Sequence, residues 1–496
     1  MSRDGLALKR ASIDWRDPRW LAAILFVCLL NFWHPVGYVG GGADDDRYLA
    51  GALCWIADGP CLPVNHWEGR WPLVASLAAS IDTFGLNRVA IAIPSVVASL
   101  ICLLIIKNLG DRFDPRIGLA SALVLAAVPA FAMQAFSATV EPFELAFVLA
   151  GALAISTGRP FAAGLAFAMA FQVRETSVAA LLSAAFLLRN DVRGLILLGA
   201  GFTSILLVEL VLYYVWTGDP FYRRMLSIRH IALPSSELAS IPKGPPIFNA
   251  ELIRSWNYDL HVHWLIDGFL NLLVSLKTGL LYALAPLLSV IYRDRLDQRE
   301  KRAALFLILS AFFYSAVLIY VLAIDPKPRL MFVPIAALAL AFSIVVVRAW
   351  NLVVFTTIAS VAALIGLTIA SQPRQTRYQR AAEQFEARFP GEIETAQPGY
   401  FGLSALRDLP PIGSGKPYLL LFKGNYCSMP SDEDPFDLTN LKVIGEARAH
   451  PLAVAIGNRW SLCLFRYMGP PPPIERRPRM GPGVRISNQT VVNRVR

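Results

Sequence analysis

The chain has 496 residues, of which 55% are hydrophobic and 17% charged, with a mean hydropathy of +0.49. That balance excludes an ordinary soluble protein of this length and requires a bilayer as solvent for much of the chain. The formal net charge of +10 sits largely in loops beside apolar runs and in a basic tail, so it gives no reason to invoke nucleic acid.

Apolar runs long enough to close their own backbone hydrogen bonds in lipid read as spans. In chain order they are 19–38, 88–108, 116–136, 141–157, 160–172, 176–188, 192–216, 264–292, 303–323, 329–348 and 350–371. The expected fold is therefore mostly α, a polytopic helix bundle of about 10–11 spans. Basic residues cluster at alternate connections: Lys9 and Arg10; Lys107, Arg112 and Arg116; Arg159; Arg189 and Arg193; Arg293 to Arg302; Arg348. Basic loops stay in the cytoplasm, which predicts an inside N-terminus and an outside C-terminal domain, provided 160–172 and 176–188 count as two short spans. The expected location is a bacterial inner membrane with the C-terminal domain in the periplasm. The first apolar run has a long flank with Asp4, Asp14 and Asp17, which favours a retained anchor over a cleaved signal peptide.

The predicted organisation is a membrane domain over 1–371, a small α/β domain over 372–468 and a Pro/Arg-rich disordered tail over 469–496. Within the first part, external segments 43–87 and 217–263 are too long to be mere connectors. Segment 43–87 reads as amphipathic helices with a turn at Asp58, Gly59 and Pro60. Segment 217–263 contains Arg223, Arg224 and a breaker-rich stretch from Pro234 to Pro246 and looks mobile until something binds. In the C-terminal domain a helix at 374–389 and strands at 418–422, 441–446 and 461–467 are expected. Cys54 with Cys61, and Cys427 with Cys463, fall in segments assigned to the outside and are disulfide candidates. Four unpaired thiols are the alternative.

Five consecutive residues, Asp44, Asp45, Asp46, Arg47 and Tyr48, stand just outside the first span. Adjacent carboxylates repel, which favours a proton acceptor among them; a solvated acidic cap on a helix N-terminus reads as well. Their D-x-D spacing admits a divalent metal, although the soluble doubly wound domain that houses such a site in nucleotide-sugar enzymes is not visible. The sequence requires no cofactor and leaves any metal unknown. Further along are His66, Trp67, Glu68 and Arg70; an Arg beside interfacial aromatics can grip a lipid phosphate or simply snorkel. Glu141 and Glu144 open one span, which suggests a water-filled cavity, with a plain boundary residue the alternative for Glu141; Arg174 with Glu175 interrupts the short pair, a functional-site signal or else two charges neutralising each other in an external turn. Asp325, Pro326, Lys327, Pro328 and Arg329 form a tight corner that places two cations at the same surface. His261 and His263 are two apart, which on a helix points them to different faces, so a metal site there is not expected.

In this order the motifs resemble the GT-C superfamily of polyprenyl-phosphate-dependent glycosyltransferases, in particular the bacterial branch of protein O-mannosyltransferases and lipid A aminoarabinose transferases. Asp44 to Tyr48 are similar to the family's D-E-x-R-Y element, and Gly69 to Leu73 to its E-K-P-P-L element, with Gly69 where an acidic residue is usual. Glu141 falls where the family has an Asp opening a span, Arg174 where a Lys is frequent, and Pro328 and Arg329 match P-R-Y with Leu330 replacing the Tyr. The resemblance implies transfer of a sugar from a polyprenyl-phosphate donor to an acceptor hydroxyl at the periplasmic face, with inversion. It implies catalytic roles for Asp44, Asp45 and Glu141, a donor-phosphate site from Arg70, Arg174, Lys327 and Arg329, and sugar or acceptor contacts from Tyr48, His66, Trp67 and Glu68. Partners would be the lipid-linked donor, a lipid, glycan or protein acceptor, and membrane lipids. The rival reading is a transporter or lipid flippase without glycosyl transfer, yet the sequence shows no internal repeat of the kind transporters carry. A scaffold built around the C-terminal domain is a third.

Overall fold

The computed structural model describes residues 44–232, 248–256, 258, 260–349, 374–395, 410, 414–423, 427, 441–448 and 461–469. The expected spans at 19–38 and 350–371, the breaker-rich stretch 234–246 and the tail from 470 lie outside them. The described helices are α1 (Asp44–Asp58), α2 (Trp71–Phe84), α3 (Arg88–Asp111), α4 (Pro115–Ala127), α5 (Pro129–Gln134), α6 (Glu141–Ser156), α7 (Pro160–Val173), α8 (Val178–Leu187) and α9 (Val192–Thr217). After these come α10 (Tyr222–Ala232), α11 (Ala250–Ser255), α12 (Trp264–Val274), α13 (Leu281–Ile291), α14 (Gln298–Ala316), α15 (Phe332–Ala349) and α16 (Arg374–Arg388).

The protein is a mostly helical membrane protein. Among the described residues four helices are long and apolar enough to cross a bilayer: Val89–Asp111, Val192–Thr217, Gln298–Val321 and Pro328–Ala349. Shorter apolar helices accompany them, including the 160–173 and 175–187 pair, which is indeed two helices. Two expected spans are broken. The run 116–136 stops at Ala127 and restarts at Pro129, because Pro cannot donate to the preceding turn. The run 264–292 is two helices, separated where Gly279 (φ 66°) and Leu280 (φ 57°) turn left-handed. An apolar count cannot see that corner.

Small residues let these helices meet closely without water-driven collapse. Gly164 of α7 faces the Leu198 carbonyl of α9, and Gly201 of α9 faces the Phe161 carbonyl of α7, so a Cβ at either position would lie about 2 Å from a backbone oxygen. Opposite-sign groups gather at one end of the bundle: Arg348 bonds Glu300 at 2.8 Å and Asp114 at 3.2 Å, and Arg299 bonds the Arg112 carbonyl. Three of the basic clusters therefore share that end.

Near the other end, α1 and α2 occupy the segment read as amphipathic helices, and Tyr48, Leu49, Leu73, Leu77 and Ile81 form their buried seam. Cys54 is bonded to Cys61 and Cys427 to Cys463. C-terminally, α16 precedes a four-stranded sheet of β1 (Ile393–Thr395), β2 (Tyr418–Lys423), β3 (Leu441–Arg448) and β4 (Ser461–Tyr467), ordered β1-β2-β4-β3. Strand β1 runs parallel to β2 and the remaining pairs are antiparallel. The three residues of β1 were too few to register in the sequence as a strand.

Candidate active site

Apart from Glu209, which lies inside α9, the charged side chains of the site stand where a helix starts or breaks. The acidic run opens α1, with its carboxylates at the positive end of the helix dipole. Glu141 and Glu144 occupy the first turn of α6, whose second residue is Pro142. Arg174 ends α7 in an extended conformation (φ −157°, ψ 127°), which aims its side chain across the break rather than along the helix. Arg329 lies in the 3-10 turn Pro328–Met331 that leads into α15.

These elements bring Asp44 and three guanidiniums into one electrostatic cluster. Arg329 Nη2 lies 3.1 Å from Asp44 Oδ2. Arg70 and Arg174 also act on that carboxylate, and the Trp67 side chain hydrogen-bonds it. Burial works to raise the pKa of Asp44, but Arg329, Arg70, the Trp67 bond and Arg174 together outweigh it and hold the carboxyl below its ordinary 3.8. Asp45 is buried and faces the same field, acting on Arg329. Arg70, only 8% exposed, donates to the Tyr48 hydroxyl. Burial pushes the Tyr48 phenol well up, so it keeps its own proton to give to a ligand oxygen.

A second layer lies beneath. Arg174 bridges Glu141 at 3.2 Å and Glu144 at 3.4 Å, and all three are buried. Glu144 also accepts from Tyr314 at 2.6 Å and from Thr176 at 3.0 Å. A third layer adjoins it through Glu175: Arg224 spans Glu175 at 3.1 Å and Glu209 at 2.6 Å, while Arg223 bonds Glu209 at 2.9 Å and the side chain and carbonyl of Gln172. Gly69 receives the aliphatic stem of Arg223, which would sit 3.3 Å from a Cβ there. The position that lacks the expected acidic side chain is thus covered by α10.

Of the residues named from sequence, Asp44, Asp45, Tyr48, Trp67, Arg70, Glu141, Arg174 and Arg329 are gathered here. His66 lies against Trp67 in a tilted arrangement, with ring centroids 3.6 Å apart and the planes at 39°. Glu68 is turned into its own loop, accepting from Val64 N–H at 3.0 Å and Asn65 Nδ2 at 2.7 Å. Lys327 leans on Asp325 at 3.7 Å and is 59% exposed. Tyr314, Gln172 and Glu209 were not singled out. Glu209 carried a usable signal, as a lone carboxylate deep in an apolar run; Tyr314, inside Phe312-Phe313-Tyr314, carried none. Among the described residues the one close group of metal-ligand type is Cys54, Asp58 and Cys61. Both of its sulfurs are already bonded to each other.

Residues 72–217 match the family model described as dolichyl-phosphate-mannose-protein mannosyltransferase. The matched stretch holds Glu141, Glu144, Arg174 and Glu209, while Asp44, Arg70 and Arg329 lie outside it. No curated protein matches the chain. Among solved structures, ArnT from Cupriavidus metallidurans in the apo state is similar at 15% identity, with 90% of this chain and 97% of that one covered and a TM-score of 0.48. ArnT from Cupriavidus metallidurans bound to undecaprenyl phosphate aligns at 14% identity over 90% and 98%, TM-score 0.45. The archaeal oligosaccharyltransferase AglB from Archaeoglobus fulgidus, in complex with an inhibitory peptide and a dolichol-phosphate, aligns at 10% identity over 81% and 69%, TM-score 0.42.

Proposed function

We propose that the chain is a GT-C-type membrane glycosyltransferase that moves a sugar from a polyprenyl-phosphate donor to an acceptor hydroxyl at the outer face of a bacterial inner membrane. The observation that carries this reading is the placement of Asp44 within one cluster with Arg329, Arg70 and Arg174. A carboxylate held ionised among three cations is what an attacking hydroxyl and a departing phosphate need side by side. The match of residues 72–217 to a mannosyltransferase family model supports the same class. The disulfides in segments 43–87 and 372–468 support a periplasmic address for both, with the N-terminus in the cytoplasm.

In the proposed step the acceptor oxygen attacks the anomeric carbon from the face opposite the phosphate. The anomeric carbon–oxygen bond to the phosphate breaks with inversion, and the acceptor proton passes to Asp44. The electron pair leaves on the polyprenyl phosphate, whose charge Arg70, Arg174 and Arg329 stabilise. With Arg329 in its ion pair Asp44 is a weak base. A donor phosphate that engages Arg329 draws this cation off and raises the basicity of Asp44 when it is needed. Tyr48 donates its free proton to the sugar or phosphate.

Asp44→Asn keeps the shape and removes the base. Sugar transfer by the purified variant in detergent, with a polyprenyl-phosphate donor and no ion gradient, is expected to fall by about 10²-fold or more at normal expression. Wild-type turnover by that variant would remove Asp44 from the role. Failure of the wild-type protein to transfer sugar from any such donor would leave the transporter reading in its place.

A further inference from the structure

Away from the guanidinium cluster, α11 and the start of α12 line an open hollow of about 220 Å³, formed by Ile253, Arg254, His261, Val262, His263, Trp264 and Asp267. Its floor is held unusually firmly for a connecting loop. Asp267, 1% exposed, accepts the backbone N–H groups of Val262 and His263, both at 2.8 Å, on one oxygen and approaches His261 Nδ1 at 3.0 Å with the other. One turn on, Asn271 donates to the Leu260 carbonyl at 2.9 Å and accepts from the Leu260 N–H at 3.2 Å. Two polar side chains of α12 thus fix the loop 260–263.

What this loop and the end of α11 present to the hollow is a pair of hydrogen-bond donors. Asp267 is buried, with both oxygens held by groups of the loop. His263 Nδ1 accepts from the Leu265 N–H at 3.3 Å, which leaves its proton on Nε2 as a donor. Arg254 lies over the Trp264 ring at 4.8 Å, and among the described residues no carboxylate pairs with it. Val262 lines the hollow, and Leu260, Leu265 and Ile266, close to it along the chain, are exposed apolar side chains. A planar guanidinium and an imidazole N–H over a fixed loop suit phosphate oxygens. Apolar side chains beside that pair suit acyl chains.

We propose that this hollow binds the phosphate of an anionic membrane-lipid headgroup, with Arg254 and His263 as donors and the apolar side chains against its chains. The site is separate from the transfer chemistry and does not depend on the transferase reading. It is tied to the segment that precedes the Asp325–Arg329 corner, because Phe248 N–H donates to the Val321 carbonyl at 2.8 Å and Tyr320 donates to the Leu265 carbonyl.

The test uses the full chain in nanodiscs of phosphatidylcholine with or without phosphatidylglycerol. Native mass spectrometry is expected to find phosphatidylglycerol retained on the wild type. Retention should weaken about tenfold in Arg254→Gln and in His263→Gln, each of which removes one charge-assisted or polar bond. Arg254 is exposed and, among the described residues, bonds no carboxylate, so Arg254→Gln is expected to unfold at the wild-type temperature and carries the test, whereas His263 also caps α12 through Nδ1 and its variant is expected to melt somewhat lower. Equal retention by wild type and variants overturns the site. In phosphatidylcholine nanodiscs, ¹⁵N-histidine spectra with inorganic phosphate separate the sources: a His263 response to phosphate without phosphatidylglycerol retention overturns the lipid assignment in favour of a soluble phosphate compound.

Discussion

Glu144 shares its two oxygens among Arg174, Thr176 and Tyr314, and Glu141 takes the other arm of Arg174. A buried pair loses most when one partner is deleted, because the remaining charge has neither water nor counter-ion. Arg174→Gln strands two carboxylates and is expected to cost about 3–5 kcal/mol, read as a fall in thermal midpoint. Adding Glu144→Gln should recover part of that loss; no recovery would separate Arg174 from the pair. Asp44 calls for a different measurement. Its folded pKa lies below 3.8, so the ion pair with Arg329 contributes at pH above the ordinary value and is lost as pH falls through the lowered one. The acidic limb of kcat/KM, which reports the free enzyme, should therefore lie below 3.8. In Arg329→Gln that limb should move to higher pH as Asp44 loses its nearest cation. An unmoved limb would assign it to another group. Asp44, Arg70 and Arg174 were legible in the sequence because charge beside apolar runs is conspicuous. Tyr314 was not, because its role exists only where α14 crosses the first turn of α6.

At the scale of elements, the break between α7 and α8 delivers Arg174 and Glu175 in opposite directions, one toward Glu141 and Glu144, the other toward Arg224. That arrangement depends on α7 lying tightly along α9, since Gln172 and Glu209 must meet at 2.7 Å. Gly201→Val places methyls against the Phe161 carbonyl and is expected to destabilise by about 1–3 kcal/mol. The same shift should lower donor affinity, because α10 reaches Gly69 through Arg223, which is seated on Glu209. Binding of a polyprenyl phosphate to the variant, measured by thermal shift, checks this; wild-type affinity would uncouple α9 from the donor side. Hydropathy located α3, α9, α14 and α15 well, because a long apolar run has one solution in a bilayer. It merged α12 with α13, where the break is made by backbone conformation at Gly279 and Leu280 rather than by polarity.

For the molecule as a whole, the two disulfides staple different parts and should fail differently. Cys54–Cys61 closes a loop of separation 7 behind α1, whose other end carries Asp44, Asp45 and Tyr48. Cys427–Cys463 spans 36 residues and joins the buried face of β4 to a segment beside the sheet. Loop-closure entropy assigns about 2–3 kcal/mol to the first and about 4 kcal/mol to the second, so stability alone ranks the second higher. Function should rank them the other way. The first pair holds the end of α1 against the loop that leads to Trp67 and Arg70, and a small displacement there would alter both the proposed base and the proposed phosphate site. Cys54→Ser with Cys61→Ser is thus expected to raise the KM for the lipid-linked donor with a modest fall in melting temperature. Cys427→Ser with Cys463→Ser should lower the melting temperature more while donor KM stays near wild type. Parallel melting curves and donor titrations decide it: a donor KM that moves with the second pair instead would make the C-terminal domain part of the donor site and overturn its separation from the helical cluster.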